Sequence, residues 1–242
     1  MLINYAHRGA SAYYPENTMI AFEKSIELGA TGIETDVQMT KDGVLILIHD
    51  ETINRTTNDK GFVKDFTYEE LRNLDAGSWF SDEFKGIKIP PLKELMDFLQ
   101  DKKNIKLNIE LKNNIIIYDK IEEKVIKMIY EYGMQDRIIL SSFNHYTLRQ
   151  CKKISKKIKI GLLYTAGLYQ PEKYARRLGA EALHPYFYAV NSHHIIKRIK
   201  KSGIMLNPYT IDEEKDMKRF IDLNVDGIIT NYPDKLKNIL LN

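Results

Sequence analysis

The chain has 242 residues, and its 36 Lys and Arg against 33 Asp and Glu give a net charge of +3, too slight to indicate nucleic acid or a membrane surface as the main partner. With 43% hydrophobic and 29% charged residues, the composition is that of a globular protein and excludes a disordered chain. One cysteine excludes an internal disulfide, and no apolar run approaches the ~18 residues that span a bilayer. Residues 1–6 do not resemble a secretory signal. We therefore expect a cytoplasmic protein.

Short apolar runs alternate with segments of helical period. The predicted strands are 2–6, 32–38, 44–48, 106–111, 137–142, 159–163, 181–184, 204–209 and 227–230. The predicted helices are 19–28, 117–132, 146–154, 171–178, 192–202, 213–223 and 233–240. Several strands are almost continuously apolar, as parallel strands covered on both faces are.

Repeated strand–helix units favour a parallel sheet with right-handed crossovers. About eight units in a chain of this length predict a single-domain (β/α)8 TIM barrel covering residues 1–242. The alternative is an open, doubly wound sheet, but no Gly-x-Gly-x-x-Gly motif follows the first strand.

One connection, residues 50–90, is too long for an ordinary barrel loop. It contains a capping-box pattern from Thr67 to Glu70 and several aromatic residues, namely Phe62, Phe66, Trp79, Phe80 and Phe84. We therefore predict a small ordered insertion after the strand that ends at His49. Its Trp79 either packs the insertion onto the barrel or forms a wall of the pocket.

Seven polar side chains follow or lie within the predicted strands: His7, Arg8, Glu34, Asp36, His49, Glu110 and Lys112. Residues two apart on a strand share one face, so Glu34 and Asp36 point the same way, as do Glu110 and Lys112. Active sites of such barrels form at the carboxyl ends of the strands. The sequence therefore predicts one site that contains all seven.

The residue types indicate the chemistry. Three converging carboxylates repel one another and offer hard oxygen ligands, which favours Mg²⁺ or Ca²⁺ over zinc. Arg8 and Lys112 are then available for an anion such as phosphate. Two imidazoles can serve as general acid and general base. Together these groups predict cleavage of a phosphodiester.

Ten segments of the chain resemble the glycerophosphodiester phosphodiesterases. In order, they are His7-Arg8-Gly9, Pro15-Glu16-Asn17-Thr18, residues 29–37, residues 40–43, His49-Asp50, Arg55-Thr56-Thr57, residues 89–92, Glu110-Leu111-Lys112, residues 141–144 and residues 226–233. The resemblance spans essentially the whole chain and is most specific in its first third.

Membership of this family implies a (β/α)8 barrel and metal-dependent hydrolysis of glycerophosphodiesters to sn-glycerol 3-phosphate and an alcohol. The matching motif positions imply three metal ligands (Glu34, Asp36 and Glu110), an acid–base pair (His7 and His49) and two phosphate contacts (Arg8 and Lys112). The expected partner is a small-molecule substrate, without nucleic acid or stable membrane insertion, and the sequence leaves the oligomeric state open.

Two positions depart from the family pattern. Tyr209 stands where the family often has tryptophan, and we predict that it forms part of the substrate wall. Asn231 stands where an aspartate is common, which weakens the case for Asn231 as a site residue. The lysine pairs at 152–153 and 156–157 are predicted to form a solvated face.

Two other functions stay open at this point. A phospholipase-type enzyme acting on intact lipid would need an exposed apolar or basic surface that docks on the membrane. The sequence shows no amphipathic segment that would form such a surface. A non-catalytic phosphate- or metal-binding barrel would be expected to lack a histidine or a carboxylate of the set, and none is missing.

Overall fold

A computed structural model describes residues 2–241. The strands are β1 (Ile3–His7), β2 (Gly32–Met39), β3 (Leu45–Leu47), β4 (Lys106–Leu111), β5 (Ile138–Ser142), β6 (Lys159–Tyr164), β7 (Ala182–Pro185), β8 (Met205–Leu206) and β9 (Gly227–Thr230). The helices are α1 (Met19–Glu27), α2 (Tyr68–Arg72), α3 (Leu92–Leu99), α4 (Ile121–Glu131), α5 (His145–Ile154), α6 (Pro171–Leu178), α7 (His193–Lys201), α8 (Glu214–Asp222) and α9 (Pro233–Leu241). Within the described range, no helix is long and apolar enough to cross a membrane.

Eight strands form a parallel sheet in the order β8-β7-β6-β5-β4-β2-β1-β9. Backbone hydrogen bonds then join the segment after β8 to β9, for example from Ile229 N to Pro208 O (3.1 Å) and from Ile211 N to Ile229 O (3.0 Å). These bonds bring the two ends of the sheet together, and helices surround it. The predicted (β/α)8 barrel is confirmed.

The strand predicted at 44–48 exists, but it is not a barrel strand. β3 pairs antiparallel with β2, with Val37 opposite Leu47 and Met39 opposite Leu45. The link between them is far shorter than the dozen residues that a parallel crossover needs, and Gly43 turns it with a φ of +82°. The chain after β3 therefore returns to the carboxyl edge of the barrel.

Two other local predictions need correction. α4 begins at Ile121 rather than at residue 117, because Asn113 Oδ1 accepts the backbone N–H of Tyr118 (2.6 Å) and holds the preceding residues in a loop. Lys152 is buried rather than solvated, and its Nζ contacts Ile158 O (2.7 Å) and Glu181 Oε1 (2.5 Å). Its position four residues after Leu148 places it on the buried side of α5.

The insertion packs against β3 in a small apolar core separate from that of the barrel: Ile46, Ile48, Ile53, Val63, Leu71, Ala76 and Ile89. The predicted capping box is present, with Thr67 N donating to Glu70 Oε2 (2.7 Å) and Glu70 N to Thr67 Oγ1 (3.4 Å). The ring of Phe84 packs against Tyr14 in the β1–α1 loop, with centroids 5.8 Å apart. The insertion is thus an ordered unit at the carboxyl face of the barrel.

Candidate active site

Strand register brings the carboxylates together. β2 lies between β1 and β4, which places Glu34 beside His7 and Asp36 beside Glu110. One oxygen from each of Glu34, Asp36 and Glu110 lies within 4.8 Å of the other two, and all three side chains are buried. Burying three acids at this distance is costly unless cations compensate.

Two cations lie against this cluster. Arg8 Nε is 3.2 Å from Asp36 Oδ2, and Arg8 Nη1 donates to Glu16 Oε1 (3.0 Å). Lys112 Nζ lies 3.1 Å from Glu110 Oε1 and 3.9 Å from Asp36 Oδ1. Each cation thus contacts a carboxylate of the cluster while facing the same site.

The environment divides the three acids into two kinds. Burial, together with the charges of Asp36 and Glu110, raises the pKa of Glu34 well above its usual value. Burial also raises the pKa of Glu110 to about 7, although Lys112 opposes the rise. For Asp36 burial acts in the same direction, but Arg8 and Lys112 outweigh it and hold the pKa of Asp36 below its usual range. The cluster therefore favours a proton or a cation at Glu34 and Glu110.

The donor set suits a metal ion. All three groups offer carboxylate oxygens, and Asp36 Oδ1 is buried without accepting a hydrogen bond from the described residues. Buried acceptors are normally satisfied, so an unpartnered one between two further carboxylates fits a hard divalent cation. The three residues could hold such an ion.

His7 lies at the end of β1, next to the cluster. Its Nε2 is 3.9 Å from Glu34 Oε2, and its Nδ1 is 2.7 Å from Asn231 Oδ1. Burial and the neighbouring Arg8 lower the pKa of His7 to about 4. This histidine is therefore held neutral in the protein without bound ligands.

His49 reaches the same site from the chain that follows β3. Its Nδ1 is 2.7 Å from Asp50 Oδ1, and Arg55 Nε donates to Asp50 Oδ2 (2.8 Å). The hydrogen bond from Arg55 lowers the pKa of Asp50 to about 2. Arg55 also donates to both oxygens of Glu16. These hydrogen bonds connect the insertion to the β1–α1 loop beside His49.

A cavity of about 210 Å³ opens over these groups. It is lined by His7, Arg8, Glu34, His49, Asn108, Glu110, Phe143, Leu163, Thr165, Tyr209, Thr210 and Ile229. The charged side chains come from β1, β2, β4 and the segment after β3, whereas the opposite wall is mainly apolar. On that wall the rings of Phe143 and Tyr209 meet edge to face with centroids 6.2 Å apart. The cavity thus has a polar end and an aromatic end.

Comparison with known proteins agrees with this geometry. The model of the glycerophosphoryl diester phosphodiesterase family matches residues 7–235. The chain is 51% identical to a glycerophosphodiester phosphodiesterase of Caldanaerobacter subterraneus subsp. tengcongensis, over 97% of this chain and 96% of the relative. It is 42% identical to one of Bacillus altitudinis, over 97% and 96% of the two chains.

The chain belongs to this family. It is therefore an enzyme of the phosphoric diester hydrolase class, as its residues predict. Among solved structures, the chain is similar to an Oleispira antarctica phosphodiesterase in complex with the product sn-glycerol-3-phosphate, with a TM-score of 0.90, 27% identity and coverage of 98% and 96% of the two chains. A crystal structure from Silicibacter pomeroyi described as a putative member gives a TM-score of 0.90 at 26% identity, over 98% and 92%.

All seven polar residues predicted from the strand ends contribute to one cluster, and Tyr209 lines the cavity. Trp79 lies outside the lining. Its Nε1 donates to Ala76 O (2.9 Å), and its ring lies 5.7 Å from the guanidinium carbon of Arg55. These contacts favour the packing role for Trp79 over the pocket wall.

Sequence reasoning missed the residues that orient the site. Asn17 Nδ2 donates to Asp36 Oδ2 (2.8 Å), Glu16 accepts from Arg8 and Arg55, and Asn231 contacts His7. Glu16 and Asn17 lie in a segment that carries the family resemblance, so a signal for them was present. Asn231 was discounted because it differs from the common aspartate, yet an amide oxygen accepts a hydrogen bond as an aspartate does.

Proposed function

We propose that the chain catalyses divalent-metal-dependent hydrolysis of glycerophosphodiesters, such as glycerophosphocholine or glycerophosphoethanolamine, to sn-glycerol 3-phosphate and an alcohol. The observation that carries the proposal is one cluster of three buried carboxylates, two cations and two histidines. Five of these seven groups line one cavity, and the other two, Asp36 and Lys112, contact Arg8 and Glu110 of that lining. The product named for the Oleispira antarctica structure supports the same substrate class.

Glu34, Asp36 and Glu110 are the proposed ligands of Mg²⁺ or Ca²⁺. When bound, such an ion supplies positive charge that polarises a phosphoryl oxygen and stabilises the charge developing at phosphorus. The raised pKa of Glu34 and Glu110 supports this assignment, since these carboxyls are the ones that burial leaves most in need of a cation.

Arg8 and Lys112 are the proposed phosphate contacts. Lys112 is buried and Arg8 is largely shielded from solvent beside the carboxylates, so their charge acts in a region of lower dielectric than water. The guanidinium offers several donors in one plane, while the ammonium acts as a compact charge. We expect them to fix the phosphoryl group in line with the two histidines.

His7 and His49 are the proposed acid–base pair. One takes a proton from the attacking oxygen, of water or of the glycerol hydroxyl, as the new P–O bond forms. The other gives a proton to the departing alcohol oxygen as the old P–O bond breaks, and where the glycerol hydroxyl attacks first, water then opens the cyclic phosphate to give sn-glycerol 3-phosphate. Both have Nδ1 occupied by an oxygen partner, which directs Nε2 toward the reacting groups. The aromatic wall of Tyr209 and Phe143 is then left for the carbon skeleton of the substrate.

The test is product identity. The enzyme is incubated with glycerophosphocholine and Mg²⁺, and the products are identified by ³¹P NMR and an enzymatic assay for sn-glycerol 3-phosphate. We expect sn-glycerol 3-phosphate and choline, loss of the reaction in Glu110→Gln, and retention in Glu122→Gln, where a buried glutamate accepts a hydrogen bond from Asn113 instead. Formation of phosphocholine and glycerol, or no turnover, would contradict the proposal.

A further inference from the structure

A chain of hydrogen bonds leads away from His7 to a carboxylate that does not touch the cavity. His7 Nδ1 is 2.7 Å from Asn231 Oδ1, and Asn231 Nδ2 donates to Asp212 Oδ2 (2.7 Å). The other oxygen of Asp212 accepts from the backbone N–H of Asn231 (2.9 Å) and from Thr230 Oγ1 (3.0 Å). Asp212 is thus held by three bonds on the segment after β8.

These bonds settle which way the amide of Asn231 points. An ionised carboxylate only accepts, so the group of Asn231 that faces Asp212 must be the NH₂. The amide oxygen then faces the opposite side, where Ser11 Oγ also donates to it (2.8 Å). A reversed amide would set two acceptors against each other at 2.7 Å.

The direction of the amide in turn settles the tautomer of His7. An amide oxygen cannot donate, so the 2.7 Å contact requires that His7 Nδ1 carries the proton. In the neutral imidazole the lone pair is then on Nε2, the nitrogen on the side of Glu34. A second partner that fixes the tautomer of a reactive histidine is a recurring device in active sites.

We propose that Asp212 is a positioning residue for His7, acting through Asn231 to keep the Nε2 lone pair of His7 turned toward the substrate. The membership of His7 in the acid–base pair rests on the function proposed above, whereas the tautomer itself does not. A free lone pair on Nε2 makes His7 the base of that pair. Asp212 supplies no contact to substrate. Its effect is transmitted by the orientation of one amide.

The substitution Asp212→Asn tests this directly. The backbone N–H of Asn231 can only donate, so the single oxygen of the new amide at position 212 stays opposite this N–H. The NH₂ of the new amide then faces the side chain of Asn231. The Asn231 amide must then turn to accept, which places its own NH₂ against His7 Nδ1 and moves the ring proton to Nε2. We expect kcat to fall by about 10²-fold or more, since general-base catalysis is lost. Inhibition by sn-glycerol 3-phosphate should change by less than about threefold.

The double variant Asp212→Asn, Asn231→Asp provides the rescue. The new NH₂ at 212 donates to one oxygen of the carboxylate at 231, and the other oxygen again accepts from His7 Nδ1. We expect most of the lost kcat to return. Asp234→Asn is the matched control, because it removes an aspartate that accepts from Tyr13 Oη (3.1 Å) beyond the end of β9 without joining this chain of bonds.

¹⁵N NMR of the metal-free enzyme at pH 8 gives a readout that does not depend on activity. We expect His7 protonated on Nδ1 in the wild type and on Nε2 in Asp212→Asn. A wild-type His7 protonated on Nε2, a single variant within twofold of wild-type kcat, or a double variant as inactive as the single would each overturn the proposal. If the single variant does not fold, the wild-type spectrum still decides. If the wild type lacks diesterase activity, the proposed function fails while the tautomer is still measured.

Discussion

Glu110→Gln should stabilise the metal-free protein at alkaline pH, although it removes a residue of the site. The pKa of Glu110 is raised to about 7 by burial beside Asp36, so the ionised form is disfavoured in the folded protein. Glutamine imitates the protonated form and has no charge to bury. The carboxylate is therefore expected to cost stability until a cation binds.

The magnitude follows from the pKa. A rise from 4.5 to about 7 corresponds to roughly 3 kcal/mol. Because the folded state has the higher pKa, it binds more protons than the unfolded chain between these values. Protonation of Glu110 therefore contributes to the free energy of unfolding of the metal-free protein. This contribution is fully present below about pH 4.5 and is lost as pH rises through 7. For a domain of this size the loss corresponds to a fall in Tm of about 5–10 °C.

The assay is urea and thermal unfolding of metal-free wild type and Glu110→Gln between pH 5 and 8. We expect similar stability at pH 5 and a more stable variant at pH 8. Addition of Mg²⁺ should reverse the order at pH 8, because only the wild type retains the full ligand set. Glu122→Gln serves as the control and should show neither effect. Parallel pH profiles for wild type and Glu110→Gln would refute the reasoning about burial and charge at this carboxyl.

Three further outcomes are expected. His7→Ala and His49→Ala should each lower kcat by 10²- to 10⁴-fold, while Tm stays within a few degrees of wild type. A variant whose kcat is within a few-fold of wild type would show that its histidine is not part of the acid–base pair. Phe143→Ala should change the ratio of kcat/KM for glycerophosphocholine over a bulky aryl phosphodiester, because this ring lines the cavity; an unchanged ratio would contradict the assignment of the wall. Trp79→Ala should lower Tm with little effect on that ratio, and the opposite result would place Trp79 in the substrate pocket after all.

Most of the barrel is predictable from the sequence, because parallel strands covered on both faces are short apolar runs and helices carry their own stop signals. α6 begins and ends where the pattern places it, between Pro171 and Leu178. β3 shows the limit of this reasoning. Its composition is that of a barrel strand, and only the length of the link from Met39 to Leu45 reveals that it runs antiparallel.

The residues of the site likewise include some that the sequence reveals and others that it does not. Charged residues within apolar strands stand out, since placing Glu34 or Asp36 there is costly without a function. The residues that orient them do not stand out. Asn231 and Asp212 are ordinary polar residues near the ends of strands, and their link to His7 depends on how the segment after β8 meets the segment after β9. Such contacts between distant segments leave no periodic signal in a sequence.

The most direct test of the central claim is a metal titration of the stripped enzyme. Protein freed of metal by chelator is assayed with glycerophosphocholine while Mg²⁺ or Ca²⁺ is added back, and binding is followed in parallel by calorimetry. Three converging carboxylates predict no turnover without metal. Activity should return in proportion to the occupancy of one metal site, and Glu34→Gln, Asp36→Asn or Glu110→Gln should each abolish binding at that site. Full turnover by exhaustively metal-free protein, or recovery that persists when these carboxylates are removed, would contradict it.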